Sequence, residues 1–287
     1  MFDLVIQALI NGVLIGGIYA LVSVGFSLCL GVMDLPNLAQ PVLAILGSFV
    51  SYFLVTNYGV DPLVSLPISF IVTFIAAALI WMPCLSRMVG TSHLMILIAT
   101  LSIAIIIENA MVLIFGNEHR LLSTWYNQVN IPLGSQVFPM VRLLSFLLSL
   151  GLIGVLSLFL KFSYVGKAIR ALAQNRNAAQ LVGVNVKIVE LIAFCISVGL
   201  AGCAGTFISL TFSFFPSFHW SLLGILFPVV VIGGLGRIDG IIVSSLLIGV
   251  CNSIASYFLS SNYGLIITYV IMLLTLLIKP KGLFGGR

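Results

Sequence analysis

Charge is what this chain has least of. Only 7% of its 287 residues are Asp, Glu, Lys or Arg, where a soluble domain carries about one quarter. With 61% hydrophobic residues and a mean hydropathy of +1.27, no soluble fold could cover the apolar surface, and lipid is the natural solvent. The five cysteines, Cys29, Cys84, Cys195, Cys203 and Cys251, are odd in number and show no Cys-x-x-Cys spacing. That pattern supports neither a disulfide framework nor a metal site, and they read as small buried hydrophobes. His93, His119 and His219 stand in separate segments, without the i, i+4 spacing of a metal pair. Gly-x-Ser-x-Gly, a paired intramembrane Asp and a Cys/His dyad are all missing, so no catalytic cluster of a membrane-embedded enzyme can be assembled. No basic patch is interleaved with aromatics outside the apolar runs, which excludes a nucleic-acid partner. The N-terminus opens on Asp3 rather than a basic region, so no cleavable signal peptide is expected.

What is present is a succession of charge-free apolar runs, each long enough to cross lipid. They predict spans over about 8–31, 42–57, 62–84, 93–115 and 140–161. Two more fit between Leu191 and Gly236, broken near Pro216–Trp220, and two between Ile241 and Ile278, broken at Ser260–Gly264. The expected fold is a single all-α polytopic membrane domain over 1–287, with about eight or nine transmembrane helices and one broken or re-entrant region, at 32–41 or 216–236. Met33–Pro41 carries Asp34, Pro36, Asn37, Gln40 and Pro41, which cannot sit in a smooth lipid-facing helix. It reads either as a turn or as a helix break lining a transport site. Gly12 and Gly16, and Gly199, Gly202 and Gly205, form small-residue faces for close helix packing. Glu108, followed by Asn109, is an acid inside a span and faces either a pathway or a helix partner. Residues 116–138 are polar, with Trp125 and Tyr126 as interfacial aromatics, and read as an external loop with a short surface helix.

The most polar stretch is 164–187, which holds four of the twelve basic residues: Lys167, Arg170, Arg176 and Lys187. Val165, Ala168, Ile169 and Leu172 recur at helical spacing. Lys167, Arg170 and Gln174 fall on another face of that helix. Asn175 and Asn177 are good interrupters and caps, and a second short helix is expected over 178–182, closed by Gly183 as a left-handed cap. Two short helices beside the bilayer follow. From the residues alone they are either a surface anchor or a docking element.

The order Gly166-Lys-Ala-Ile-Arg170-Ala171, then Ala178-Ala179 and Leu181-Val-Gly183-Val-Asn185, resembles the cytoplasmic coupling loop of ABC importer permeases, in wording closest to the branched-chain amino acid class. The resemblance extends over Asn11–Leu21, over the turn Gly233-Gly-Leu-Gly236, where Arg237 stands at a usual Ser, and over the tail Lys279-Pro-Lys-Gly-Leu-Phe-Gly285. At Asn37-Leu38-Ala39 it holds, but Gln40-Pro41 replaces the family's His-Gly.

The resemblance implies a permease subunit without a catalytic site of its own, in a bacterial inner membrane, with a cytoplasmic C-terminus. It implies partners: ATP-binding cassette subunits, which would carry the ATP and magnesium, a second permease, identical or related, and a periplasmic solute-binding protein. Gly166, Lys167, Arg170, Ala171, Asn175, Ala178 and Gly183 are then the coupling residues, with Lys167 and Arg170 touching the ATPase and the two glycines setting the shape of the segment. Asn37, Gln40, Glu108 and Asn109 are pathway candidates. The expected substrate is a branched-chain amino acid, but Gln40-Pro41 leaves other amino acids, amides, urea-like solutes and small carboxylates open. With 164–186 placed in the cytoplasm, ten of the twelve basic residues fall inside and only Arg120 and Arg142 outside, as the positive-inside rule requires. The N-terminus is then external if 32–41 is a turn. An ATP-independent secondary transporter or channel is the alternative.

Overall fold

A computed structural model describes residues 2–33, 36–88, 92–133, 136–234, 236–258, 263–280 and 282–284. Helix α1 (Phe2–Met33) contains no proline and runs unbroken. Helix α2 (Gln40–Tyr58) starts with Pro41 in its first turn, where a missing N–H costs nothing. The chain is therefore broken between α1 and α2 as the prolines predict. Asp34 lies outside the described residues. Helix α3 (Pro62–Ile80) is capped by Asp61, whose Oδ1 accepts from Leu63 N at 2.8 Å. It passes into a π-helical turn, Trp81–Leu85, around Pro83, and a last short turn, α4 (Ser86–Met88). Proline cannot donate to the helix ladder, and the wider turn absorbs the missing bond.

Helix α5 (His93–Phe115) matches its expected span. The loop after it holds the short helix α6 (Trp125–Gln128) and, unexpectedly, an antiparallel hairpin of β1 (Asn130–Leu133) and β2 (Gln136–Pro139), in register Ile131 to Phe138. Strands this short carry too little alternation to be seen in sequence. Helix α7 (Met140–Phe162) leads into α8 (Tyr164–Gln174) and α9 (Arg176–Leu181), then α10 (Val186–Thr211), α11 (Phe218–Gly233), α12 (Ile238–Phe258) and α13 (Tyr263–Ile278). Of the break expected at Ser260–Gly264, residues 260–262 lie outside the described residues, while Tyr263 and Gly264 already belong to α13.

Seven helices among the described residues are long and apolar enough to cross a membrane. The helices α11 and α13, at 16 residues each, are about 24 Å long, shorter than a bilayer core of about 30 Å. The fold is the all-helical polytopic architecture expected, with α11 and α13 the shorter apolar helices among the described residues.

Helices α1 and α10 are the most enclosed. α1 lies against α12, and α10 against α2 and α3. Both contacts run through the glycine faces. A β-carbon on Gly12 would stand 2.5 Å from Val250 Cα, and one on Gly202 would run into the Thr73 side chain. Without a hydrophobic drive between helices in lipid, such close approach and buried hydroxyls supply the packing energy. Ser51 and Ser65 hydroxyls meet at 2.6 Å between α2 and α3, and Thr206 Oγ1 lies 3.3 Å from Ser69 Oγ between α10 and α3.

The two ends of the bundle differ. At one, Arg120 and Phe214 form a two-way antiparallel bridge, 2.9 and 2.8 Å, that ties the 116–139 loop to the α10–α11 connection. The other gathers the end of α1, the starts of α2, α10 and α12, and helices α8 and α9. Arg87, Lys161, Lys167, Arg170, Arg176, Lys187, Arg237 and Lys279 belong to this second end by chain order, Arg120 and Arg142 to the first.

Candidate coupling segment and helix break

Three side-chain caps build the segment 164–187. Ser163 Oγ accepts from Gly166 N at 2.8 Å and starts α8 directly after α7. The turn is tight: a β-carbon on Gly166 would stand 2.6 Å from Leu160 Cα. Asn175 ends α8 through its N–H to Ala171 O (3.0 Å) and starts α9 through Oδ1, which accepts from Ala178 N at 3.0 Å. Asn185 Oδ1 accepts from Ile188 N at 3.4 Å and starts α10. Between α9 and α10 the backbone of Gly183 adopts φ +85°, which L-residues avoid. Its N–H and that of Val184 satisfy the carbonyls of Gln180 and Ala179, each at 3.1 Å.

The apolar face of α8 turns inward as its spacing predicts, with Ile169 and Leu172 buried. Lys167, Arg170, Ala171, Asn175, Ala178 and Gly183 are exposed. The Arg170 guanidinium Nη2 donates to the Lys161 carbonyl at 3.2 Å. The tip of the segment is apolar: Leu181 and Val182 are 89% and 79% exposed. Beside it lies a cavity of about 740 Å³ among the end of α1, the end of α7, α8 and the turn before α12, with Leu28, Val32 and Ile169 in its walls and Lys161, Arg170, Arg237 and Asp239 as its charged groups.

Sequence reasoning missed Glu190. Its carboxylate pairs with Arg176 at 2.9 Å, and its side chain is 1% exposed. The residue stands next to a long charge-free run and reads as its boundary. The available signal is its place at i+4 from Val186 and i−3 from Ala193, both buried on α10.

The pathway candidates fall into separate settings. Asn37 Oδ1 accepts from Ala39 N at 3.1 Å and shapes the turn into α2. Among the described residues its Nδ2 has no partner, and it is buried at a small void of about 10 Å³ bordered by Trp81, Thr100 and Phe194. Gln40 is buried where α1, α2 and α10 meet. Its Nε2 donates to Val22 O at 3.3 Å, and Ser197 Oγ shares one proton between Gly25 O (2.6 Å) and Gln40 Oε1 (3.1 Å). Glu108 has the helix partner that the sequence left as one of two readings. Ser217 Oγ donates to its Oε1 at 2.5 Å, and His219 Nε2 lies 3.7 Å from its Oε2. His219 is buried, with Nδ1 3.0 Å from Pro216 O. Asn109 is exposed and donates to Ile105 O in its own helix at 2.8 Å. The structure thus joins Asn37 and Gln40 at one helix break and sets Glu108 with Ser217 and His219, while Asn109 stays apart. Among the described residues no group of three or more His, Cys, Asp or Glu is placed to hold a metal.

A polytopic helical membrane protein, with eight of its basic residues at one end and a capped helix pair standing out there, has the form of a membrane transport subunit. The chain belongs to the family described as branched-chain amino acid transport system / permease component, whose model matches residues 8–276. Among curated proteins it is similar to the high-affinity branched-chain amino acid transport system permease protein LivH of Salmonella typhimurium, 26% identical over 98% of this chain and 95% of that one. It is also similar to the probable branched-chain amino acid transport permease LivH of Methanocaldococcus jannaschii, 30% identical over 99% and 94% of the two chains. A shorter likeness, 29% identical over 52% of this chain and 36% of the relative, reaches the permease protein LivM of Escherichia coli. No solved structure matches the chain.

Proposed function

We propose that this chain is a permease subunit of an ATP-driven importer, carrying a branched-chain or other small amino acid delivered by a periplasmic binding protein. The observation that carries the reading is the segment 164–187. It is a three-fold capped helix pair with an exposed polar face, at the end of the bundle that gathers eight basic residues. The positive-inside rule puts that end, with the C-terminus, in the cytoplasm of a bacterial inner membrane. There the segment meets an ATP-binding cassette subunit that holds the ATP and magnesium. A permease of LivH type here and of LivM type opposite would form the pathway at their interface, although a pair of identical chains is equally compatible with the fold. Movement of the segment is passed through rigid helices to alternate the pathway between its two faces. Hydrolysis belongs to the partner. Asn37 and Gln40 at the helix break, and Glu108 with Asn109 on α5, are the residues we assign to the pathway.

The test is a gentle detergent pull-down of the tagged chain from its native host, followed by an ATPase assay. Co-purified ATP-binding subunits and ATP hydrolysis are the expected result, and the ligand of the accompanying binding protein identifies the solute. A chain that purifies alone and moves solute in liposomes without ATP would overturn the importer reading in favour of a secondary carrier or channel.

A further inference from the structure

Helix α9 is attached to the body of the protein at both of its ends. At its C-terminal end the Gly183 turn leads straight into α10. At its first residue, Arg176 reaches back to Glu190 in the second turn of α10, at 2.9 Å. The carboxylate is buried while the guanidinium is 44% exposed, and among the described residues no other cation lies within 4.0 Å of Glu190. Among the described residues neither carboxylate oxygen of Glu190 has a hydrogen-bond donor, so Arg176 faces it as an ion-pair partner only. Opening this pair would leave a buried charge alone, which is far more costly than opening an exposed pair.

We propose that the Arg176–Glu190 pair is the strut that carries movement of the coupling segment into α10. The proposal rests on the reading of 164–187 as the ATPase-facing segment. With one attachment to α10, at Gly183, α9 can pivot about its junction with α8 at Asn175 while α10 stays still. With two, α9 and α10 move as one body. Helix α10 is the right recipient. Ser197 meets Gly25 of α1, Gly205 meets Ser48 of α2, and Thr206 meets Ser69 of α3. A displacement at the segment therefore reaches three other helices, including the break at Gln40, through one central helix. Arg176 and Glu190 are positioning residues and need touch neither solute nor nucleotide.

The test uses the assembled complex with its ATPase subunits, whose presence is checked first. Absence of those subunits with the parent chain would refute the coupling reading itself. Spin labels at Gln180→Cys and Lys187→Cys, both exposed positions on α9 and α10, report their separation by pulsed electron resonance. In the parent background ATP leaves that distance unchanged. In Glu190→Gln, which keeps shape and removes charge, ATP changes it, and leucine uptake per ATP hydrolysed falls by at least about threefold. Arg176→Lys, which keeps the charge, behaves as the parent. An ATP-dependent distance already in the parent, or one that stays constant in Glu190→Gln, would overturn the strut, as would an unaltered uptake ratio in Glu190→Gln.

Discussion

Ser48 and Gly205 are in backbone contact across α2 and α10. The Ser48 hydroxyl donates to the Gly205 carbonyl at 2.7 Å, and a β-carbon on Gly205 would stand 2.7 Å from Ser48 N and closer still to the Ala44 carbonyl. Neither neighbour is the flexible end of a side chain, so the helices themselves would have to separate. Gly205→Ala is expected to destabilise the permease by about 1–3 kcal/mol, the usual cost of overpacking. Ser48→Ala, which removes one interhelical bond, is expected to cost about 0.6 kcal/mol. Thermal unfolding in mild detergent checks both, and an unchanged midpoint for Gly205→Ala would show that α2 and α10 do not approach this closely.

The Gln40 amide offers a sharper comparison. Its Nε2 faces the Val22 carbonyl and its Oε1 faces the Ser197 hydroxyl. Gln40→Leu removes both bonds but buries no unpaired group on its own side chain, and is expected to cost about 1 kcal/mol. Gln40→Glu sets a carboxylate oxygen against the Val22 carbonyl in a fully buried site, and is expected to cost several kcal/mol. The order of the two in an unfolding series decides whether Gln40 is a packing group held by three helices. A Glu variant as stable as the Leu variant would mean that the introduced carboxyl is protonated and donates to the Val22 carbonyl, or that water reaches it.

These two cases mark how far the sequence could be read. Gly12, Gly16, Gly202 and Gly205 announce close packing because small residues at helical spacing have little other use in lipid. Asn175 and Gly183 announce helix ends because capping and positive φ are local properties. The partner of Glu108 was not legible, since Ser217 and His219 are more than one hundred residues away along the chain. Glu190 was hidden at much shorter range, because its meaning depends on Arg176 folding back across the Gly183 turn. Local rules give caps and faces, while pairings between helices need the fold.

Glu108 separates a pathway role from a structural one. Glu108→Gln retains an oxygen that can accept the Ser217 hydroxyl, and loses the charge facing His219. If the carboxylate serves the pathway, leucine uptake falls by about tenfold or more, a change of about 1.4 kcal/mol, while the unfolding midpoint barely moves. A fall in stability with unchanged uptake would make Glu108 a brace between α5 and the start of α11.

The last prediction concerns the tip of the segment. Leu181 is 89% exposed, beside Val182, at the end of α9. A large apolar side chain held this far out gains little within the chain itself. Leu181→Asp should therefore leave permease stability within about 0.5 kcal/mol of the parent. If the tip seats in a pocket of the ATPase subunit, the same change should reduce recovery of that subunit by tenfold or more, since a buried anchor at an interface contributes about 2 kcal/mol. Arg170→Glu differs in kind. It reverses a charge and loses the bond to the Lys161 carbonyl, so the ATPase should be retained while hydrolysis no longer drives uptake. Quantifying co-purified ATPase and uptake for both variants separates docking from coupling. Full recovery with Leu181→Asp would move the contact from the apolar tip to the basic face of α8, and normal uptake with Arg170→Glu would remove Arg170 from the coupling set.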